Sequence, residues 1–324
     1  MITKKATLFL LAAISIVFCP VVAKAAQIEN LPTTPVAGDY VIGPGKSELW
    51  MDPGKSEVRN ITVTNRYGKE MQFKIELEDF KGSRVPGENI ILLGDQKGPY
   101  SLKDFLHPET SSFVLQHGQR ITIPITVQVP ADAQPGGMYG SVIVTAQPVL
   151  EANTPKDQVV SGNLTVISRL ASLFFVRVSG TANENGQLQK FETDKHIYTQ
   201  PNLTFNTLYE NSGNVYLNPY GIIEIKNILG DKIDEIKIDP YFVMPDAIRT
   251  KDFALHRAFM FGFYKANIFL NRGYGNVVDE KNISFWVLPW KIVLATIVGL
   301  ALFIMILYFV KQWFDKNFER KPKT

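Results

Sequence analysis

Ile121-Thr122-Ile123-Pro124-Ile125-Thr126-Val127-Gln128-Val129 alternates apolar and polar residues without a miss. Successive side chains of a strand point to opposite faces, so one face of this segment is buried and the other wet, the pattern of a half-exposed antiparallel strand. Pro124 cannot donate a ladder hydrogen bond, falls on the wet face, and predicts an edge strand. The same period recurs at Ile61 and Val63, at Phe73, Ile75 and Leu77, and at Leu203, Phe205 and Thr207. Turn-forming clusters separate these runs: Asp52-Pro53-Gly54-Lys55, Asn65-Arg66-Tyr67-Gly68, His117-Gly118 and Asn211-Ser212-Gly213-Asn214. Short strands at such spacing predict an all-β body of immunoglobulin-like β-sandwiches.

Outside that body the two ends of the chain are apolar in different ways. Lys4 and Lys5 precede the uncharged run Ala6 to Phe18, which is short for a membrane span, and Ala23-Lys24-Ala25 then offers small residues at the positions a signal peptidase reads. Residues 1–26 are therefore expected to be a cleaved signal peptide. Phe18, not a small residue, precedes Cys19, which argues against a lipoprotein signal. Ile292 to Val310 carries no charge over nineteen residues, enough at 1.5 Å per residue for a bilayer core of about 30 Å. Trp286 and Trp290 before it and Tyr308 and Trp313 at its end would form an interfacial belt. Residues 291–311 are read as a single transmembrane α-helix. Lys311, Lys316, Arg320, Lys321 and Lys323 then place the 312–324 tail in the cytoplasm, giving type I topology with the body outside.

The whole chain has 34 Lys and Arg against 31 Asp and Glu. Most of the excess basic charge sits at the two ends, so the external segment carries a net charge of about −4. That excludes nucleic acid as an expected partner, since phosphate binding needs a cationic surplus. Cys19 is the only cysteine and goes with the signal, so the exported body has no disulfide. This points to a prokaryotic surface protein, and the sequons at Asn60, Asn163, Asn202 and Asn282 are read as unmodified.

Along the body, the apolar run Ser168 to Val178 reads as the last strand of a first domain (40–178), with residues 147–162 a hairpin loop. Ser179 to Gln187 forms the boundary to a second domain at 188–286. Residues 81–110 are a long excursion of the kind that binds something or packs as a lid, with a short helix expected at 101–106 and Ser101 as its N-cap. Pro-Gly-Lys-Ser-Glu occurs at both 44–48 and 53–57 and reads as two successive turn-to-strand entries.

Trp50-Met-Asp52-Pro53-Gly54-Lys55 leading into Asn60-Ile-Thr-Val-Thr-Asn65, and Val129-Pro130 followed by Pro135-Gly136-Gly137-Met138-Tyr139-Gly140-Ser141-Val142-Ile143, give the first domain a resemblance to the WxL-interacting surface proteins of bacteria. The resemblance covers roughly residues 40–178. It implies a peptidoglycan-binding N-terminal module, a second immunoglobulin-like module, a membrane helix with a basic tail, and a WxL-domain partner protein.

Catalytic and metal chemistry finds little support in the residues. His107, His117, His196 and His256 stand singly, without metal-like spacing, and no metal or cofactor is expected. Glu76 and Glu78 share a strand face about 7 Å apart, a glycosidase-like separation, but the alternation makes them the solvated face. No P-loop, nucleophile-elbow or dinucleotide fingerprint occurs. Aromatics remain: Trp50, Tyr67, Tyr100 and Tyr139, then Tyr220, Tyr241 and Phe242. Tyr100 in the excursion, with Gly136, Gly137 and Tyr139 at the turn and in the strand that follows it, are expected to face a ligand. The expectation is a non-enzymatic, membrane-anchored protein binding peptidoglycan or a surface protein. The alternative is a tethered assembly factor that pairs strand edges with exported subunits.

Overall fold

A computed structural model describes residues 26–149 and 167–318. The signal-peptide expectation, Cys19, the Asn163 sequon and the last basic residues lie outside the described residues. The chain forms two immunoglobulin-like sandwiches followed by one apolar helix. Its strands are β1 (Gln27–Asn30), β2 (Tyr40–Gly43), β3 (Lys46–Met51), β4 (Ser56–Asn65), β5 (Met71–Gly82), β6 (Ile90–Leu92), β7 (Leu106–Pro108), β8 (Ser112–Leu115), β9 (Gln119–Gln128) and β10 (Gly136–Pro148). They continue with β11 (Ser168–Val178), β12 (Gly186–Thr193), β13 (Ile197–Tyr198), β14 (Asn202–Asn211), β15 (Tyr220–Asn227), β16 (Lys232–Ile238), β17 (Ala247–His256), β18 (Gly262–Asn271) and β19 (Val278–Val287). The helix α1 is Trp290–Phe318. Within it, residues 293–317 make the one helix among the described residues long and apolar enough to cross a membrane.

One sheet has the order β1-β9-β4-β2 with β7 also beside β9, and a second the order β3-β11-β10-β5-β6 with β8 beside β5. The other two are β12-β14-β17 and β13-β19-β18-β15-β16. The most compact division puts residues 1–78, 102–133 and 140–175 in one unit and residues 79–101, 134–139 and 176–324 in the other. Residues 81–101 of the excursion thus belong with the second sandwich, while residues 102–110 stay with the first.

In the first unit the alternation of β9 does what its sequence demands: Ile121, Ile123, Ile125 and Val127 are buried, the first two opposite Val63 and Ile61 of β4. The edge-strand reading of Pro124 needs correction, because β9 lies inside its sheet and Pro124 is buried. β1 ends its pairing at Thr122 and β7 begins at Ile125, so the proline occupies the gap between two short partners where no ladder donor is needed. β1 also brings residues ahead of Tyr40 into this sandwich. The Tyr40 hydroxyl ties three strands, donating to the Val144 carbonyl and accepting the Leu170 amide at 2.9 Å.

Leu77 departs from the predicted inward face and is only half-buried, the buried positions passing to Asp79 and Phe80. In the second unit the reason is visible: the Asp79 carboxylate accepts the Gly98 amide at 3.0 Å, and its carbonyl the Leu93 amide. The short helix expected at 101–106 is a single 3-10 turn, Lys103–Phe105, whose N-cap position is Leu102 with no side-chain cap. Ser101 caps nothing; its hydroxyl is buried without a hydrogen-bond partner. The second sandwich closes on Leu203 and Phe205 of β14, Ile223 and Ile225 of β15, Ile268 of β18 and Phe285 of β19.

Candidate functional site

Of the four residues expected to face a ligand, three are core. Tyr139 has no exposed surface, and Gly136 and Gly137 are buried. The glycines explain why. Gly136 adopts φ +152°, and a Cβ on Gly137 would lie 1.9 Å from the Tyr139 hydroxyl, so the ring lies back over its neighbour two residues earlier on the same strand face. The Tyr139 oxygen accepts the Tyr216 amide at 2.7 Å, and the ring packs against Phe80, Tyr100 and Tyr216. Burial drives its ionisation far upward. The Gly-Gly-Met-Tyr element is a packing device.

Tyr100 is the member that reaches the surface. It lines a cavity of 340 Å³ with Lys81, Ser83, Arg84, Val85, Ile91, Pro99, Met244, Pro245 and Asp246. The excursion and the segment entering β17 build it together. Gly82 comes so close to that segment that a Cβ would sit 2.3 Å from the Ala247 Cβ, and the Ser83 carbonyl accepts the Ile248 amide at 3.0 Å. Gly87 donates its amide to the Thr250 hydroxyl, and Arg84 pairs with Glu210 at 2.6 Å. The excursion is docked along the β17 end, not held as an open lid.

At the pocket, the Tyr100 hydroxyl donates to the Asp246 carboxylate at 2.9 Å. Its pKa is pushed up to about 12, first by burial and then by that carboxylate. Asp246 holds φ +53°, unusual for a residue with a side chain, which turns its carboxylate to the pocket side of the turn after Pro245. The lining combines ring and proline faces with a carboxylate, a guanidinium and an ammonium, the mixture of mostly apolar wall and few polar groups that ligand pockets use. Arg84 and Asp246 carried no signal in the sequence, since the Tyr100–Asp246 pair joins positions 146 residues apart.

The remaining sequence candidates fall elsewhere. Arg169 bridges Glu78 at 2.7 Å and Glu76 at 3.1 Å, and the Lys74 hydrogen bond, with that arginine, lowers the Glu76 pKa. A glycosidase acid needs the opposite shift, so Glu76 does not fit that role. Tyr241 is buried, and Phe242 lies 4.4 Å beneath the Arg249 guanidinium. Arg249 and Lys251 point inward from the edge strand β17 and are lowered in pKa mainly by burial. Such inward charges blunt an edge against strand addition. Trp50 is 70% exposed on β3. Among the described residues no group of three or more His, Cys, Asp or Glu could hold a metal ion.

No protein-family model matches the chain. No curated protein matches it either. Solved structures resembling it include the class 5 fimbriae chaperone CfaA, at 16% identity over 78% of this chain and 100% of that one, with a TM-score of 0.37. Another is the CsuC–CsuE chaperone–tip adhesion subunit complex of Acinetobacter baumannii, at 10% identity over 76% and 98%, with a TM-score of 0.37. At such scores these likenesses bear on no functional conclusion.

Proposed function

We propose that this chain is a non-enzymatic extracytoplasmic binding protein, anchored by α1 as a single-pass type I span, whose Tyr100 pocket holds a segment of cell-wall glycan. The make-up of that pocket carries the reading. Tyr100, Pro99 and Pro245 offer flat faces to the C–H faces of a sugar, while Asp246 and Arg84 meet hydroxyls, and Lys81 and Arg84 suit the carboxylates that wall glycans carry. With its pKa about 12, Tyr100 keeps at neutral pH the proton it gives to Asp246, whereas an acid–base catalyst works near the ambient pH. The resemblance of residues 40–178 to the WxL-interacting surface proteins supports the same ligand class.

The test is sedimentation of the full chain, in detergent, with purified insoluble wall material. The parent protein should sediment with the wall and Tyr100→Ala should remain largely in the supernatant while still folded. A folded parent that stays in the supernatant, or a Tyr100→Ala variant that sediments equally, defeats the reading.

A second reading, a tethered assembly factor that pairs strand edges, is favoured by β3. It lies at the edge of its sheet and alternates strictly, with Ser47, Leu49 and Met51 inward and Lys46, Glu48 and Trp50 outward. A photo-crosslinker at Trp50 that captures an exported protein in extended conformation would support it. Capture of a WxL-domain protein there would support the family's partnering role.

A further inference from the structure

The second sandwich carries its most exposed apolar side chains at one end. Of the large apolar residues in 188–287, five are more than half exposed: Ile197, Ile228, Leu229, Phe259 and Phe261. Strand register puts all five at the end where α1 begins. Val287, the last residue of β19, pairs with Gly262, so the loop holding Phe259 and Phe261 lies beside the helix start. Asn227 pairs with Tyr264, which pairs with Phe285, so the β15–β16 tip with Ile228 and Leu229 projects past the level of Phe285 toward the same end. Ile197 of β13 pairs with Trp286.

Hairpin tips are ordinarily polar, and this one presents Leu229 at 82% exposure and Ile228 at 73%. Solvent gives no reason for such residues to be there; a bilayer surface does. Only Leu288 and Pro289 separate β19 from α1. Three Cα steps of about 3.8 Å hold that end of the sandwich within about 11 Å of the first helical residue. The headgroup region is about 5–7 Å deep on each side of the hydrocarbon. Trp290 and Trp286 are exposed at the junction, as residues of an aromatic belt are.

We infer that the loops 228–230 and 257–261 and the β13 residue Ile197 form a second membrane contact, inserting their apolar tips into the interfacial zone of the leaflet that α1 enters. The sandwich is then seated on the bilayer instead of swinging from a single tether. This rests on α1 spanning the membrane.

The experiment uses the full chain in a Cys19→Ser background, reconstituted in phosphatidylcholine–phosphatidylglycerol vesicles, with an environment-sensitive fluorophore on single cysteines. Labels at Leu229→Cys and Phe259→Cys should emit blue-shifted light and be quenched several-fold more by lipids bearing a nitroxide near the headgroup than a label at Val278→Cys, at the far end of β19. Gly299→Cys inside α1, read against lipids that bear the nitroxide deep on the acyl chain, reports the span itself. Quenching at 299 with none at 229 and 259 overturns the second contact alone. No quenching at 299 overturns the span and the contact with it. A blue shift at 229 and 259 without lipid quenching means that a second copy of the chain covers the patch, which also overturns it.

Discussion

Asn211→Ala removes a side chain that holds the end of β14 with three hydrogen bonds. Its Nδ2 donates to the Val215 carbonyl at 2.8 Å and the Val243 carbonyl at 2.9 Å, and its Oδ1 accepts the Gly213 amide at 2.9 Å, all with no exposed surface. Val243 retains the Leu217 amide, so the loss falls hardest on Val215 and Gly213. At about 1 kcal/mol for each bond, and more where a buried group is left bare, the cost is about 3–5 kcal/mol. For a chain of this size at 2–4 °C per kcal/mol, the apparent Tm should fall by roughly 6–20 °C. Thermal scanning of the full chain in detergent, followed by intrinsic fluorescence, reads this directly. Asn211→Asp sharpens the test. It keeps the acceptor for Gly213 but turns a carboxylate toward two carbonyls, so its folded-state pKa lies above the unfolded value. Its stability relative to Asn211→Ala is therefore present below the unfolded carboxylate pKa and lost as pH rises through the folded one. An Asn211→Ala protein within about 2 °C of the parent, or an Asn211→Asp protein whose Tm relative to Asn211→Ala does not change with pH, would refute the reasoning.

Gly137→Ala drives a Cβ into the Tyr139 ring, breaks its bond to the Tyr216 amide and should cost at least about 2 kcal/mol in urea denaturation, or prevent folding. Gly82→Ala meets the Cβ atoms of Ala247 and Met244 at 2.3 and 2.6 Å, so the excursion should lift from β17 and limited proteolysis should cut within residues 83–100, which the parent resists. Tyr40 and Tyr100 have pKa values raised by burial from 10.0 to about 12, so the stability they lend is full below pH 10 and lost as pH climbs toward 12. Tyrosinate absorbance should show them titrating late, and Tyr40→Phe should flatten the alkaline loss; titration of every tyrosine near pH 10 in folded protein would contradict this.

The strands were legible because their chemistry is local. Ile121, Ile123, Ile125 and Val127 needed only period-two alternation to be placed in the core, and β11 occupies the expected span Ser168–Val178. Pro124 misled because its position depends on where β1 stops and β7 starts, two partners distant in sequence. Leu77 misled because the Asp79 carboxylate is drawn inward to receive the Gly98 amide. Tyr139 did carry a readable signal: a glycine two residues before an aromatic on one strand face leaves a hollow that the ring can fill. The partners of Tyr100 had none, since Asp246 lies in an ordinary Pro-Asp turn until the fold brings it to the excursion. The apolar tips at Ile228 and Phe259 broke the rule that turns are polar, and such violations are where function is expected.

A body without cysteine must fix its strand order by other means, and the buried polar side chains show how. Tyr40 joins β2 to Val144 and Leu170, 104 and 130 residues away. Asn65, wholly buried at the end of β4, donates to the Lys69 and Leu115 carbonyls and accepts the Tyr67 amide. Asn211 repeats that arrangement at the end of β14, with Val215 and Val243 as acceptors and Gly213 as donor. In both cases the asparagine opens the turn motif that the sequence displays, Asn65-Arg-Tyr-Gly68 and Asn211-Ser-Gly-Asn214. Each tie contributes about 1 kcal/mol, against about 2–4 for a disulfide. They do not replace the energy of a cross-link, which the apolar core supplies. They replace its specificity: a slipped strand or a misrouted connection strands a buried amide or hydroxyl at a cost of about 1–3 kcal/mol, so the native order is the one in which each of these groups is satisfied.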